Sequence, residues 1–156
     1  MVGACLLAGR AALQQGAGSI TLGMLDDRVV VDYGEPRLMF AVPENLLATP
    51  LSVLAIGPGL GQSPRAHALL ETALAAPCPL VLDADALNLL AGDPDLASQV
   101  ARRSHPTLLT PHPGEAARLL GVTGAKIQAN RIEFACNLVT QYRAHVACPH
   151  RDIPAI

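Results

Sequence analysis

Three short stretches of this chain carry residue types that do chemistry, and each follows an apolar run of strand length. The first, GPGLG, sets Gly57, Gly59 and Gly61 into a turn without side chains, so backbone N–H groups can approach an anion or a ring closely. Two familiar loops are excluded by spacing. A G-x-G-x-x-G fingerprint requires glycine at position 62, which is Gln62, and a Walker A loop requires a Gly-Lys-Ser/Thr that is not there. A tight turn demanding positive φ is the plainer alternative, although three glycines exceed what one turn needs. The second stretch, DADALN, flanks Ala84 with Asp83 and Asp85 and brings Asn88 one short turn later. Alternate residues of an extended segment point the same way, so both carboxylates could face one crevice. Helix capping is the competing role, and it predicts Asp85 as the N-cap of ALNLLAG. Asp83, at the tip of an apolar run, is harder to assign to capping.

The third stretch, TPHPGE, holds an imidazole between two prolines. Pro113 pushes the residue before it out of the helical region, so His112 stays extended while Pro113 takes the first helical position. The partial positive charge of a helix N-terminus favours neutral imidazole over imidazolium, which makes His112 a hydrogen-bonding and packing surface. Glu115 falls at the third helical position, where a carboxylate complements the helix dipole by roughly 0.3–1 kcal/mol.

The elements around these stretches predict how they are positioned. Residues 3–15 show helical spacing closed by Gly16, and SITLGM at 19–24 alternates like a strand. Between 25 and 51, RVVVDYG and RLMFAV read as short strands punctuated by prolines. SVLAIG is a strand, and a helix spans about 64–76. PLVLDAD is a strand, ALNLLAG a short helix closed by Gly92, PDLASQVARR a helix begun by Pro94, and PTLLT a strand. PGEAARLLG is a helix ended by Gly121, and 125–144 reads as one longer helix. Apolar strands alternating with helices predict an α/β fold with a parallel sheet covered on both faces. In such sheets ligands bind at the carboxyl ends of the strands, so the three stretches should converge on one edge.

Composition narrows the function classes. The chain has 156 residues, 51% hydrophobic and 15% charged, enough for one domain with a real core. Aromatics are 3% and the formal charge is −2, so neither base-stacking platforms nor a basic footprint for nucleic acid is present. Cys5, Cys78, Cys136 and Cys148 stand far apart and read as reduced thiols, not zinc ligands. No apolar run approaches the roughly 18 residues of a membrane span, and the expected location is cytoplasmic. His67, His105, His145 and His150 have no partner at a useful spacing, and Arg102–Arg103 reads as a solvated helix end.

GACLLAGRAALQQGAGSITLG, IGPGLGQS, PLVLDADALNLLAG and LLTPHPGEAARLLG, taken together and in order from Val2 to about Ala144, closely resemble the ADP/ATP-dependent NAD(P)H-hydrate dehydratases of the ribokinase-like superfamily. The resemblance implies a three-layer ribokinase-like α/β fold over residues 1–146. It also implies a lyase that repairs hydrated NADH or NADPH: a nucleotide, ADP or ATP with Mg²⁺, phosphorylates the added hydroxyl, and phosphate is then eliminated. By motif position Ala4, Gly59 or Gly61, and His112 contact the hydrated dinucleotide, Asp83 and Asn88 line the same crevice, and Glu115 is the acidic position near Mg²⁺ and phosphates. The sequence leaves the oligomeric state open, a homo-oligomer included. The family's first strand, its Lys-Gly-rich nucleotide loop and its aspartate base find no match in this chain, and residues 147–156 fit nothing in the family. The expectation is therefore a piece, cut or frameshifted near its end, that is inactive alone. Two alternatives remain: a small-molecule kinase of the same superfamily, against which the His112 motif speaks, and a dinucleotide-binding remnant without chemistry.

Overall fold

The apolar run at 52–57 forms β3 (Leu54–Ile56), the first of four parallel strands, in a computed structural model that describes residues 2–26 and 30–147. Its neighbours are β4 (Leu80–Leu82), β5 (Thr107–Leu109) and β6 (His145–Val146), in the spatial order β3-β4-β5-β6. Between them run α3 (Pro64–Ala75), α4 (Asp85–Gly92) with α5 (Pro94–Arg102), and α6 (Pro113–Leu120), α7 (Gly124–Ala129) and α8 (Arg131–Tyr142). Parallel pairing needs such crossovers, and the strand–helix alternation in the sequence is their signature. Leu80, Leu82 and Leu109 are almost fully buried in the main core with Leu70, Leu87 and Leu138.

Burial of the sheet is one-sided among the described residues. Paired positions of parallel strands share a face. Leu54, Leu80, Leu82, Thr107 and Leu109 are buried, whereas Ala55 and His145 are exposed and Val81 and Leu108 half-buried. The expected covering of both faces therefore holds for one of them.

A smaller unit precedes this sheet. α1 (Val2–Gln14) packs on β1 (Thr21–Gly23), which pairs in parallel with β2 (Met39–Ala41) around Leu13, Leu22 and Leu38. Gly16 has φ 97° and ends the helix as predicted. RLMFAV supplies β2, whereas RVVVDYG forms no strand over its described residues 30–34, and 28–29 lie outside the description. α2 (Pro43–Leu47) arises where the prolines suggested only punctuation, with Pro43 at its first turn. The predicted single helix over 125–144 is two: Asn130 (φ −144°, ψ 54°) breaks it, and its side-chain amide donates to Glu133 at 2.6 Å. Asparagine competes with helical hydrogen bonding in this way.

Arg10 ties α1 to the following segment through a paired contact with Asp32, Nε–Oδ2 at 2.7 Å and Nη2–Oδ1 at 2.6 Å. Chiefly through the hydrogen bonds from Arg10, the buried Asp32 carboxyl is held below its ordinary value, and the Gly34 amide adds to the effect. A depressed folded-state pKa gives stability that is present above the unfolded value and lost as pH falls through the folded one. Asp32→Asn should therefore be less stable than the parent at neutral pH, and the gap between their thermal melts should begin to close as pH falls below about 4 and vanish only below the lowered folded-state value.

Candidate functional site

The parallel register aligns Ile56, Leu82, Leu109 and Val146 at the ends of their strands. Each following residue continues the ladder: the Asp83 amide donates to Ile56 O at 3.2 Å, Thr110 to Leu82 O at 3.1 Å, and Ala147 to Leu109 O at 2.9 Å. Residues 57–61, 83–88 and 110–115 thus leave the sheet side by side at its carboxyl edge. The predicted convergence is what the fold delivers.

Within the first loop Gly57 (φ 132°), Gly59 (φ 75°) and Gly61 (φ 74°) all take backbone angles that favour glycine. Gly57 is pressed against the second loop: a Cβ there would lie 1.7 Å from the Asp83 carbonyl oxygen. Gly61 donates its amide to Asp85 Oδ2 at 2.8 Å, a bond that spans the two loops. Asp85 is therefore not the N-cap expected of it. The capping position is Ala84, with no side-chain cap, and Asp85 is the first residue of α4. Ala84 has φ 47° and ψ −114°, a conformation that strains an L-residue and that recurs at ligand sites. The same angles end the extended run, so alternation no longer aims Asp83 and Asp85 in one direction. Asp83 is half-buried at the strand tip. Asp85→Ala should free the Gly61 amide, raising its hydrogen exchange and lowering stability by about 1–2 kcal/mol, while Asp85→Asn keeps an acceptor and loses less.

The third loop is more tightly built than its sequence suggests. His112 is the N-cap of α6, extended at φ −70° and ψ 163°, with Pro113 at the first turn. His112 Nδ1 accepts the Gly114 amide at 2.9 Å, and the His112 amide donates to Glu115 Oε2 at 2.9 Å, a reciprocal capping box. An acceptor Nδ1 places the ring proton on Nε2, which lies 3.2 Å from Glu115 Oε1. The His112 side chain is 58% exposed and that of Glu115 only 6%. The result is an imidazole fixed in orientation and open to solvent on one side. Asn88 Oδ1 accepts from Arg118 Nε at 2.8 Å, joining α4 to α6. Ala4 sits half-buried on α1, in the smaller unit and not among the three loops.

Two features escaped sequence reasoning. Arg103 is no solvated helix end: its guanidinium donates to the carbonyls of Ala73, Leu74, Ala76 and Cys78, closing the C-terminus of α3. His67 Nε2 lies 2.7 Å from Asp93 Oδ2, and Asp93 accepts the Asp95 and Leu96 amides as N-cap of α5. The His67 hydrogen bond is the main reason that the Asp93 carboxyl is held below its ordinary value. No spacing in the sequence announces a contact across 26 residues. Gly92, predicted to end α4, remains its last residue, and Asp93 caps both helices. Cys5, Cys78 and Cys136 are free thiols, with burial pushing Cys5 up, while Cys148 and His150 lie outside the described residues. Among the described residues no group of three or more His, Cys, Asp or Glu side chains could hold a metal, and no helix is long and apolar enough to cross a membrane.

A sheet of parallel strands with glycine-rich, acidic and imidazole-bearing loops at one edge is an α/β scaffold of the carbohydrate-kinase type. The chain belongs to the NAD(P)H-hydrate dehydratase family, whose family model matches residues 1–148. It is 40% identical over 149 residues to the bifunctional NAD(P)H-hydrate repair enzyme of Coxiella burnetii, covering 92% of this chain and 29% of that protein. It is 39% identical over 136 residues to the ADP-dependent (S)-NAD(P)H-hydrate dehydratase of Neisseria meningitidis, covering 84% of this chain and 46% of that protein. The Bacillus subtilis ADP/ATP-dependent NAD(P)H-hydrate dehydratase, co-crystallised with ATP/Mg²⁺ and soaked with CoA, superposes with a TM-score of 0.72 at 29% identity. That match covers 95% of this chain and 54% of the other. This chain therefore spans half or less of the curated relatives' length and about half of the solved structure.

Proposed function

We propose that this chain supplies the dinucleotide-binding side of an ADP-dependent NAD(P)H-hydrate dehydratase, a lyase that restores NADH or NADPH from the hydrated form. In that reaction a phosphoryl group passes from ADP to the hydroxyl that hydration added, leaving a nucleotide one phosphate shorter. Phosphate then leaves with its oxygen as a proton is lost from the ring, and the double bond returns. The observation that carries the proposal is the alignment of the three loops at one sheet edge in a chain of this family. Gly59, Gly61, Asp83, Asn88 and His112 take the substrate side, with Ala4 completing it from α1. His112 offers a flat, half-exposed ring held by its own helix cap, and a substrate oxygen would compete with Glu115 Oε1, 3.2 Å away, for the proton on Nε2.

Mg²⁺ enters as the ion that would accompany the nucleotide phosphates, and Glu115 as the acidic residue on that side. Magnesium usually keeps several waters and takes one or two carboxylates besides phosphate oxygens. Both Glu115 oxygens already face His112, and the described residues form no metal-ligand cluster, so they do not by themselves make a magnesium site. A cytoplasmic location and a homo-oligomer accompany the reading, and sizing chromatography checks the second.

The test is incubation of the purified protein with hydrated NADPH, with and without ADP, alongside equilibrium binding of NADPH. Saturable binding that weakens in His112→Ala supports the assignment of the site, and ADP-dependent recovery of NADPH supports the reaction itself. Absence of any dinucleotide binding overturns the reading. Phosphorylation of an alcohol substrate by ATP, with hydrated NADPH untouched, would move the chain to the kinases of the superfamily.

A further inference from the structure

Arg118 has no part in the roles above, yet its side chain meets two of the three loop stretches, at Asn88 and beside Gly114. Its Nε fastens α6 to α4 through Asn88 Oδ1 at 2.8 Å. The two terminal NH₂ groups of that guanidinium have no hydrogen-bond partner among the described residues. A Cβ placed on Gly114 would lie 3.9 Å from Arg118 Nη1 and 2.8 Å from His112 Cε1. Imidazole and guanidinium therefore flank the open face of Gly114, and the missing side chain keeps the space between them clear.

The charges around this space are mostly acidic. Asp83, Asp85 and Glu115 all leave the sheet at this edge, an unfavourable setting for a ligand carrying phosphates unless a cation offsets them. Other arginines are committed elsewhere: Arg10 to Asp32, Arg37 to Glu35, Arg65 to Glu44, and Arg103 to backbone carbonyls. A role confined to joining α4 and α6 would need only the Nε–Oδ1 bond, which a neutral donor could provide. A forked donor with a free edge suits a phosphate, which guanidinium binds through paired hydrogen bonds.

We propose that Arg118 is a phosphate-binding residue of this site: its free NH₂ edge takes phosphate oxygens of the bound dinucleotide or nucleotide, and Asn88 holds it in aim. The proposal rests on the dinucleotide reading of the three loops. The experiment is equilibrium binding of NADPH, NADH and ADP to the parent protein and to Arg118→Ala, Arg118→Gln and Arg118→Lys, with Arg102→Ala as a charge control at the opposite sheet edge. Arg118→Ala and Arg118→Gln are expected to weaken binding of at least one ligand about tenfold or more, with reduced salt dependence, while Arg118→Lys keeps part of the affinity. A loss confined to NADPH assigns the 2′-phosphate, an equal loss for NADH and NADPH assigns the pyrophosphate, and a loss for ADP assigns the nucleotide. Unchanged affinities in Arg118→Ala, or full affinity in Arg118→Gln, overturn the proposal and leave the site reading standing. If the parent binds none of the three ligands, both fall together. Thermal melts separate these outcomes from unfolding, because a variant that melts like the parent has lost only its ligand contact.

Discussion

Gly57→Ala is expected to destabilise the whole fold by about 4 kcal/mol or more, not merely to weaken the site. The added Cβ would sit 1.7 Å from the Asp83 carbonyl oxygen and 2.7 Å from its carbon, both backbone atoms that no rotamer change can move. The residue's φ of 132° adds conformational strain that an L side chain cannot avoid. Relief would require β3 and β4 to part where the Asp83 amide bonds Ile56 O at 3.2 Å. Effects above about 4 kcal/mol are rare for single substitutions and come from such mechanisms, against a total stability of about 5–15 kcal/mol. For a domain of this size that corresponds to a fall in Tm of about 8–16 °C, or to no cooperative transition at all. Gly61→Ala is the matched control: nothing lies within 4 Å of its Cβ, so only its positive φ matters, at about 1–2 kcal/mol. A Gly57→Ala protein that melts within a few degrees of the parent would show that the close approach of the two loops is wrong.

Arg103→Ala should be the next most damaging change, and it lies far from the three loops. Its guanidinium donates to Cys78 O at 2.7 Å and Ala76 O at 3.2 Å, as well as to Ala73 O and Leu74 O, and its Nε to Thr107 Oγ1 at 3.0 Å. The last carbonyls of α3 lack the amide four residues on; Ala73 O also accepts the Ala76 amide at 3.1 Å, whereas Leu74 O, Ala76 O and Cys78 O are met by this side chain where the chain turns into β4. Its removal strands several half-buried acceptors, each worth about 1–3 kcal/mol when left unmet. Water replaces some of them, so a net loss of about 2–4 kcal/mol is expected in urea denaturation. Arg103→Lys should recover only part, since an ammonium cannot span a fork of carbonyls. NADPH affinity of the folded fraction should be unchanged, because the residue sits at the opposite end of the sheet from the loops.

The contrast between these two residues shows what the sequence made legible. Gly57, Asp83 and His112 each follow an apolar run, and parallel pairing fixes their common edge once the strands are recognised. The register that aligns Ile56, Leu82 and Leu109 follows from the same pattern. His112 and Glu115 could be placed because prolines and helix N-termini act over a few residues. Contacts across longer separations carried no local mark: Arg103 reaches back 25 residues to Cys78, Arg118 reaches 30 to Asn88, and Asp85 reaches 24 to Gly61. Asp85 failed for a further reason. Capping propensity assumes ordinary backbone on the approach to a helix, and the positive φ of Ala84 removes that premise. The break at Asn130 was hidden because apolar periodicity continues across it. Family resemblance supplied Ala4, which no pattern in the residues would have singled out and which the fold leaves in the smaller unit.

Loops 57–61, 83–88 and 110–115 are proposed to form one dinucleotide site. Amide hydrogen exchange with and without saturating NADPH tests this most directly. Slowed exchange is expected at all three loops together, Gly59, Asn88 and Glu115 among them, with no change at 102–105 on the opposite edge. Slowed exchange at 102–105 with the three loops unaffected, or saturable binding that leaves all three loops exchanging as before, would contradict it.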